Sequence, residues 1–174
     1  MRYLQENIKV VNVVTSFELN SNLCRNQIKD TFQDIEYKKT FPGGVLKYPD
    51  GCLLVFDSGK IIVTGVQNIA TAIVLIDRFC AKYPRDIKYT SFKIVNITAC
   101  TKIIGDFDYN ELLLHPKSSY TPELFPGIHL KLDDTKVIFI IFRTGKVIIT
   151  GLKDYKSIFH YCDEFDYNIR LKSI

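Results

Sequence analysis

The sequence predicts an antiparallel α+β fold built from two pseudo-symmetric repeats, and three observations support this prediction. Three short blocks occur twice in the same order, the segments between them alternate as strands do, and each copy contains two helical segments. The 174 residues are enough for one domain with a full core or for two small intimate halves.

The first two repeated blocks recur at one spacing. The stretch 41–47, which begins Phe-Pro-Gly, returns at 125–131, and Asn12 returns as Asn96, in both cases 84 residues later. Each asparagine follows a lysine and two β-branched residues. Agreement between two separate blocks is stronger evidence for duplication than a single short motif.

The third block recurs two residues further on. The stretch 56–65 contains Ser-Gly-Lys and ends in Thr-Gly, and it returns at 142–151, 86 residues later. The difference places a longer turn in the second copy, at 132–137. We therefore expect a first repeat over residues 1–88 and a second over 89–174, joined in one intimate core.

Each repeat is predicted to contain a strand, a helix, a run of strands and a long helix, about five strands and two helices in all. The glycines of the Ser/Thr-Gly-Lys blocks indicate hairpin turns, and Pro84 ends the first long helix. In the first repeat we predict a strand at 8–18, a helix at 26–37, strands at 44–48, 52–57 and 60–65, and a helix at 67–83. In the second we predict a strand at 92–99, a helix at 108–115, strands at 127–132, 137–143 and 146–151, and a helix at 154–170.

The strands have too little polarity for a sheet with one solvated face. In the run 137–142 both alternating sets of side chains are apolar, and the same holds for 53–56. Two helices in each repeat can cover only one face. The second face is therefore either covered by another part of the chain, as in a sandwich core, or is an exposed apolar binding surface.

Composition excludes several classes of protein. No apolar run reaches the roughly 18 residues of a membrane span, and no apolar leader is evident, so we expect a soluble intracellular protein. The five cysteines have no C-x-x-C pair, and we interpret them as buried thiols in a reducing compartment. A net charge of +4 permits nucleic-acid binding without arguing for it.

Together, the paired asparagine strands, the stretch 118–127 (Ser-Ser-Tyr-Thr-Pro-Glu-Leu-Phe-Pro-Gly) and the doubled Ser/Thr-Gly-Lys-x-x-x-Thr-Gly motif resemble the core of the TATA-box-binding protein family. The resemblance covers residues 8 to 167 approximately. It implies a saddle, a curved ten-stranded antiparallel sheet with helices on the convex face and an apolar concave face for DNA.

The resemblance also implies a function. Members of the family are general transcription initiation factors that bind the minor groove of A·T-rich, TATA-like promoter DNA, bend it and nucleate preinitiation complex assembly. Four phenylalanines match the family's wedges between base steps: Phe41, Phe56, Phe125 and Phe142. The resemblance implies no enzyme activity, no cofactor and no metal.

Further residues match the family's DNA contacts. The minor-groove set is Asn12, Val14, Leu54, Ile62, Thr64, Asn96, Thr98, Ile140, Ile148 and Thr150. The phosphate set is Lys47, Ser58, Lys60, Lys131, Thr144 and Lys146. In the minor groove A·T pairs offer only acceptors, to which an amide NH₂ can donate, whereas G·C pairs add a protruding amino group.

The chain departs from the family at several points. Lys47 and Lys131 replace arginines, and Thr98 stands where an apolar β-branched residue is usual. The helix around 69–76 is apolar where the family has the basic surface that recruits transcription factor IIA, which argues against a IIA-type contact. For a IIB-like partner and RNA polymerase, Glu123 and Leu124 are kept, whereas Thr121 replaces an acidic residue.

These departures and the Ile/Lys/Asn-rich composition resemble the divergent members carried by large DNA viruses or protists. We accordingly expect the protein in the nucleus, or in a cytoplasmic viral factory or virion if it is viral.

Two other functions remain to be weighed. The three histidines have no paired ligand spacing, the Gly-Lys pairs lack a phosphate-binding loop, and Cys100 near Asp106 and Asp108 is a weak nucleophile candidate, so catalysis is disfavoured. The alternative is a protein-interaction module or regulator of the same fold, whose apolar saddle binds a protein or pairs with a second copy. Retention of all four phenylalanines favours DNA, and a homodimer through the concave face is compatible with DNA binding.

Overall fold

The computed structural model describes residue 4 and residues 7–104, 107–132 and 135–170. The chain forms two compact units, one of which is Asn12–Val95, while the other combines the chain from Asn96 onward with the part before Asn12. The repeat boundary at 88/89 stays a prediction. Residues 133 and 134 of the expected longer turn lie outside the described residues. Within the described part, no helix is long and apolar enough to cross a membrane.

Each repeat contributes five strands and two helices to the described structure. The first repeat contains β1 (Lys9–Leu19), α1 (Arg25–Thr31), β2 (Glu36–Tyr37), β3 (Gly44–Tyr48), β4 (Gly51–Val55), β5 (Lys60–Val66) and α2 (Ile69–Lys82). The second contains β6 (Tyr89–Lys102), α3 (Tyr109–Leu113), β7 (Ser118–Ser119), β8 (Ile128–Lys131), β9 (Ile138–Ile141), β10 (Lys146–Leu152) and α4 (Ser157–Arg170).

The strands follow the same order in both repeats. One sheet of ten strands has the order β2-β3-β4-β5-β1-β6-β10-β9-β8-β7, and the pairs within each repeat are antiparallel. The predicted α+β class with a ten-stranded antiparallel sheet is thus confirmed.

The helix predicted at 26–37 is wrong in its second half. α1 ends at Thr31, where the N–H of Phe32 bonds the carbonyl of Ile28, and the chain then returns to the sheet as β2. Strand pairing of Tyr37 with Gly44 wins over helix continuation because the glycine leaves room for the tyrosine ring, which a Cβ at Gly44 would meet at 2.9 Å.

The helix predicted at 108–115 is also too long. α3 ends at Leu113, and β7 at Ser118–Ser119 pairs with β8. The sequence predicts neither β2, which falls within the helix expected at 26–37, nor β7, because two residues carry too little alternation to detect.

Four apolar residues of α2 lie in the core: Ala72, Leu75, Ile76 and Phe79. Its N-cap Asn68 accepts from the N–H of Thr71 at 2.8 Å, and the helix packs against β4 and β5. Leu75 and Phe79 are fully buried, and Phe79 stacks on Phe32 with ring centroids 4.6 Å apart. The apolar composition of this helix therefore serves packing first, although Val74 remains 53% exposed.

The interpretation of all five cysteines as buried thiols is wrong. Only Cys162 is buried; Cys24 is exposed, and the other three are half-buried. Burial raises the pKa of Cys162 to about 12 and that of Cys80 to about 11, so both thiols stay protonated at neutral pH. Alternation turns Cys52 and Cys100 away from the core face of their strands, whereas Cys24 precedes α1 and Cys80 lies within α2. Apolar sequence neighbours alone therefore do not bury a cysteine.

Two glycines carry matching irregularities at the ends of the hairpins. Gly65 in β5 and Gly151 in β10 have φ of 77° and 90°, the left-handed region that glycine adopts without strain. The register of β5 against β1, and of β10 against β6, shifts beside them. A shift of this kind turns a backbone N–H away from the ladder and towards side chains.

Gly151→Ala should destabilise the protein far more than Gly65→Ala. At Gly65 a Cβ would meet only ordinary contacts, the nearest at 3.5 Å, so we expect backbone strain of about 1 kcal/mol. At Gly151 the Cβ would overlap the carbonyl oxygen of Lys136, and we expect a loss of about 3 kcal/mol. Urea unfolding of both variants checks the difference, and equal losses would contradict it.

Candidate nucleic-acid interface

One face of the sheet in the first repeat is apolar and only half-buried. Leu53 and Ile61 are fully buried beneath the helices, whereas their neighbours Leu54 and Ile62 are partly exposed and pair directly across β4 and β5. The described residues therefore cover one face of this half-sheet and leave the other open.

The second repeat has the same arrangement. Phe139 and Ile149 are fully buried, and Ile140 and Ile148 are partly exposed partners across β9 and β10. The other residues predicted for the groove are half-buried as well: Asn12, Val14, Thr64, Asn96, Thr98 and Thr150. Of the two alternatives that the sequence pattern leaves open, the described residues form the uncovered face and not a sandwich core.

The four predicted wedge residues form two similar aromatic pairs. Phe41 and Phe56 have ring centroids 5.6 Å apart at an interplanar angle of 62°, and Phe125 and Phe142 have centroids 5.9 Å apart at 59°. Phe125 is 38% exposed, and the other three are half-buried. Each repeat therefore presents one tilted pair of rings of nearly the same geometry.

A glycine lies against each aromatic pair and was not predicted as a site residue. A Cβ at Gly43 would lie 3.0 Å from both Phe41 and Phe56, and one at Gly127 would lie 2.8 Å from Phe125. The rings thus occupy the space of the missing side chain. The repeated Phe-Pro-Gly motif carried this signal in the sequence.

A residue of the first helix in each repeat holds the loop of the aromatic pair. Arg25 donates from its guanidinium to the carbonyl oxygen of Pro42 at 3.2 Å and forms an ion pair with Asp57 at 2.7 Å, so it links the loops of Phe41 and Phe56. Hydrogen bonding to Asp57 raises the pKa of Arg25 further, so its guanidinium stays charged.

Tyr109 occupies the matching place in the second repeat, 84 residues after Arg25. Its hydroxyl donates to the carbonyl oxygen of Pro126 at 3.3 Å, and the guanidinium of Arg143 lies 4.5 Å from its ring centroid. Burial raises the pKa of Tyr109, which keeps the donating proton in place. Sequence alone did not reveal this pair because one position is filled by arginine and the other by tyrosine.

Both predicted asparagines are anchored by a glycine N–H. Asn12 Oδ1 accepts from Gly65 at 2.8 Å, and Asn96 Oδ1 accepts from Gly151 at 2.9 Å. A backbone N–H can only donate, so each amide oxygen is fixed towards the protein. The left-handed glycines are thereby part of the site.

The predicted phosphate-contacting residues lie at the surface with different surroundings in the two repeats. Lys47 forms an ion pair with Glu36 at 3.1 Å, and Lys60 lies 3.9 Å from Glu18. Among the described residues, Lys131 and Lys146 have no such carboxylate partner. Ser58 and Thr144 are exposed in the adjoining turns.

The two residues predicted for a IIB-like partner, Glu123 and Leu124, are exposed, and 84% of Leu124 is accessible. Within the described part of the chain, no group of three His, Cys, Asp or Glu side chains could hold a metal ion. Asp106, which the nucleophile candidate at Cys100 requires, lies outside the described residues.

An open apolar sheet face edged by aromatic pairs and lysines, repeated twice, is typical of a binding protein built on a duplicated domain. The family model described as "Transcription factor TFIID (or TATA-binding protein, TBP)" matches residues 7–82 and 91–170. The chain belongs to this family of general transcription initiation factors.

Individual relatives agree with the family model. The chain is 35% identical over 162 residues to the TATA-box-binding protein of Methanocaldococcus jannaschii, covering 88% of each chain. It is 34% identical over 157 residues to the Archaeoglobus fulgidus protein, covering 84% of this chain and 85% of that one. Identities of this size indicate a divergent member, and a viral or protist origin stays a prediction.

A solved structure gives the same result for the fold. "Methanococcus jannaschii TBP" superimposes with a TM-score of 0.83 at 31% identity, over 94% of this chain and 98% of that chain. The predicted fold family is therefore confirmed.

Arg25→Ala should loosen the first aromatic pair with little loss of stability. The ion pair is exposed to solvent, so we expect only a small fall in the free energy of unfolding. In ¹⁹F NMR of fluorophenylalanine-labelled protein, the signals of Phe41 and Phe56 should shift and broaden, and those of Phe125 and Phe142 should not. Lys47→Ala, which removes an ion pair away from these loops, is the matched control, and unchanged signals in Arg25→Ala would contradict the positioning role.

Proposed function

We propose that the chain binds the minor groove of A·T-rich, TATA-like promoter duplexes through the open sheet face of its two repeats, and bends the DNA. The single observation that carries this proposal is the matched pair of phenylalanine pairs, with centroid separations of 5.6 and 5.9 Å. A core of ordinary packing would bury such rings, whereas these are partly exposed beside an uncovered apolar face.

The rings have the chemistry required of wedges. Parting two base pairs removes base stacking, and an aromatic ring inserted there offsets part of that loss through its own stacking. In each repeat the loops bearing the two rings are tied to a helix, by Arg25 in one and Tyr109 in the other. Restrained rings lose less conformational freedom when DNA binds, which favours binding.

The open sheet face of each repeat suits an A·T-rich minor groove. The half-buried Leu54, Ile62, Ile140 and Ile148 present methyl groups that fit against a minor groove lined by sugars and by base edges without a protruding amino group. An amide NH₂ at Asn12 can donate to adenine N3 or thymine O2. A guanine amino group would oppose that donor, so the surface selects against G·C.

The lysines at the edge supply phosphate contacts. Lys131 and Lys146 are exposed without carboxylate partners among the described residues, so they can bind phosphate directly. Lys47 and Lys60 must first leave Glu36 and Glu18. Most of the salt dependence of binding should therefore come from the second repeat.

Bound to a promoter, the protein would recruit a IIB-like factor and RNA polymerase. Glu123 and Leu124 provide an exposed carboxylate beside an exposed apolar side chain, as a protein contact requires. The first half of α2 exposes the apolar Ala70 and Val74, and the exposed basic side chains of the helix are Arg78 and Lys82 in its second half. We propose no IIA-type contact there. The protein would act wherever its promoters are, in the nucleus or in a viral factory.

A TATA-containing duplex labelled at its ends with a fluorescent donor and acceptor tests binding and bending together. We expect tight binding at physiological salt with increased energy transfer, because bending brings the ends closer. A G·C-substituted duplex should bind weakly and show no change. Weak binding to both duplexes without a bend would overturn the proposal and would leave the open face for a protein, including a second copy of this chain.

Phe142→Ala should weaken binding and bending far more than Lys146→Ala. Loss of the wedge removes the stacking that compensates the kink, and we expect a fall in affinity of about a hundredfold. Loss of one lysine should lower affinity only a fewfold and reduce the dependence on salt by about one phosphate contact. Titrations at three salt concentrations separate the two effects. Equal losses would show that charge, and not wedging, drives binding.

A further inference from the structure

The amide nitrogens of the two asparagines differ in what they donate to. Asn12 Nδ2 has no acceptor among the residues that the structure describes, so both of its protons are available on the open face. Asn96 Nδ2 instead donates to Thr98 Oγ1 at 3.1 Å and to Thr150 Oγ1 at 3.2 Å. The anchoring of the two amide oxygens is the same, so the difference arises on the exposed side alone.

Thr98 is the residue that creates this difference. It lies 84 positions after Val14, whose side chain can accept nothing, whereas Thr64 matches Thr150 in the other strand. Thr98 Oγ1 and Thr150 Oγ1 lie 3.3 Å apart, so one hydroxyl donates to the other. Asn96 and the two threonines therefore form a closed hydrogen-bond cluster, which we call the Asn96 cluster.

The donors and acceptors left in the Asn96 cluster can be counted. The amide supplies two protons and each hydroxyl one proton and two lone pairs. Both amide protons and one hydroxyl proton are used within the cluster, and they occupy three of the four hydroxyl lone pairs. One hydroxyl proton and one lone pair remain for the open face. Because the hydroxyls can rotate, the two threonine hydroxyls can present either this donor or this acceptor to a ligand.

We propose that Thr98 is a specificity-determining residue that makes the second repeat tolerate a G·C pair where the first repeat requires A·T. This inference rests on the proposed function. Asn12 offers only donors, which A·T acceptors satisfy and which a guanine amino group opposes. The Asn96 cluster can donate to adenine N3 or thymine O2, or accept from that amino group. The two repeats consequently read different base pairs, and an asymmetric site is bound in one orientation.

Three duplexes test the proposal by fluorescence anisotropy. The first duplex has only A·T pairs in the site. The second is a series in which one G·C pair is placed in turn at each position of one half of the site. The third has G·C pairs at mirrored positions in both halves. The protein should bind the second duplex at the best position within about threefold of the first, since it can turn its second repeat towards the G·C pair. The third duplex should bind about tenfold more weakly, because Asn12 then meets a G·C pair.

Substitutions at Thr98 and Val14 should change which repeat tolerates a G·C pair. Thr98→Val leaves Asn96 Nδ2 with Thr150 Oγ1 as its one remaining acceptor in the cluster. One amide proton is then free to oppose a guanine amino group, so the second duplex should lose about tenfold as well. Thr98→Ser keeps the hydroxyl and should behave as the unchanged protein does. Val14→Thr builds the same cluster in the first repeat, so the third duplex should recover to within about threefold of the first.

The possible results distinguish failure of the role proposed for Thr98 from failure of the proposed DNA-binding function. If the unchanged protein does not bind the all-A·T duplex more tightly than a G·C-rich one, the proposed function itself is wrong. If that preference holds but Thr98→Val and Val14→Thr both leave the three affinities in their original ratios, the role of Thr98 is overturned. Val14→Thr lies in the other repeat, so the test survives if Thr98→Val does not fold.

Discussion

Two helices in each repeat can bury only one face of a sheet whose strands are apolar on both faces, and the rest of the site follows from this constraint. α2 packs against β4 and β5 and covers Leu53 and Ile61, which leaves Leu54 and Ile62 on the opposite face. An apolar face without cover would be costly for a free monomer, since it keeps hydrocarbon in contact with water. A partner that removes this surface from water gains that free energy on binding.

The fixed orientation of its side chains, rather than the area of apolar surface, distinguishes this face from a nonspecific hydrophobic patch. The aromatic pairs are fitted over glycines and tied to the first helix of their repeat, and the asparagine amides are oriented by left-handed glycines in neighbouring strands. Each device sets the direction of a side chain before any ligand is present. Preorganisation of this kind favours affinity, because fewer rotamers are lost on binding.

The two repeats place these orienting residues at equivalent positions but differ in the side chains found there. Arg25 and Tyr109 both donate to the carbonyl of the proline that follows the first wedge, one with a guanidinium and the other with a phenol. Val14 and Thr98 occupy one position with opposite hydrogen-bonding capacity. The lysines of the first repeat face carboxylates that the described part of the second repeat does not supply. A pseudo-symmetric protein meeting an asymmetric duplex requires such differences between its halves.

The sequence by itself determined the repeat and the strand alternation, because these depend on local spacing and on side-chain polarity. It left open whether the second sheet face is covered, and the family resemblance identified Phe41, Phe56, Phe125 and Phe142. Only the tertiary structure decided that Glu36–Tyr37 leaves its helix for the sheet edge, that Cys24 is exposed, that Arg25 and Tyr109 are equivalent, and that Asn96 is engaged by Thr98 and Thr150. Each of these depends on atoms brought together from distant parts of the chain, by strand pairing or by a hydrogen bond across strands. The periodicity of the sequence does not predict such contacts.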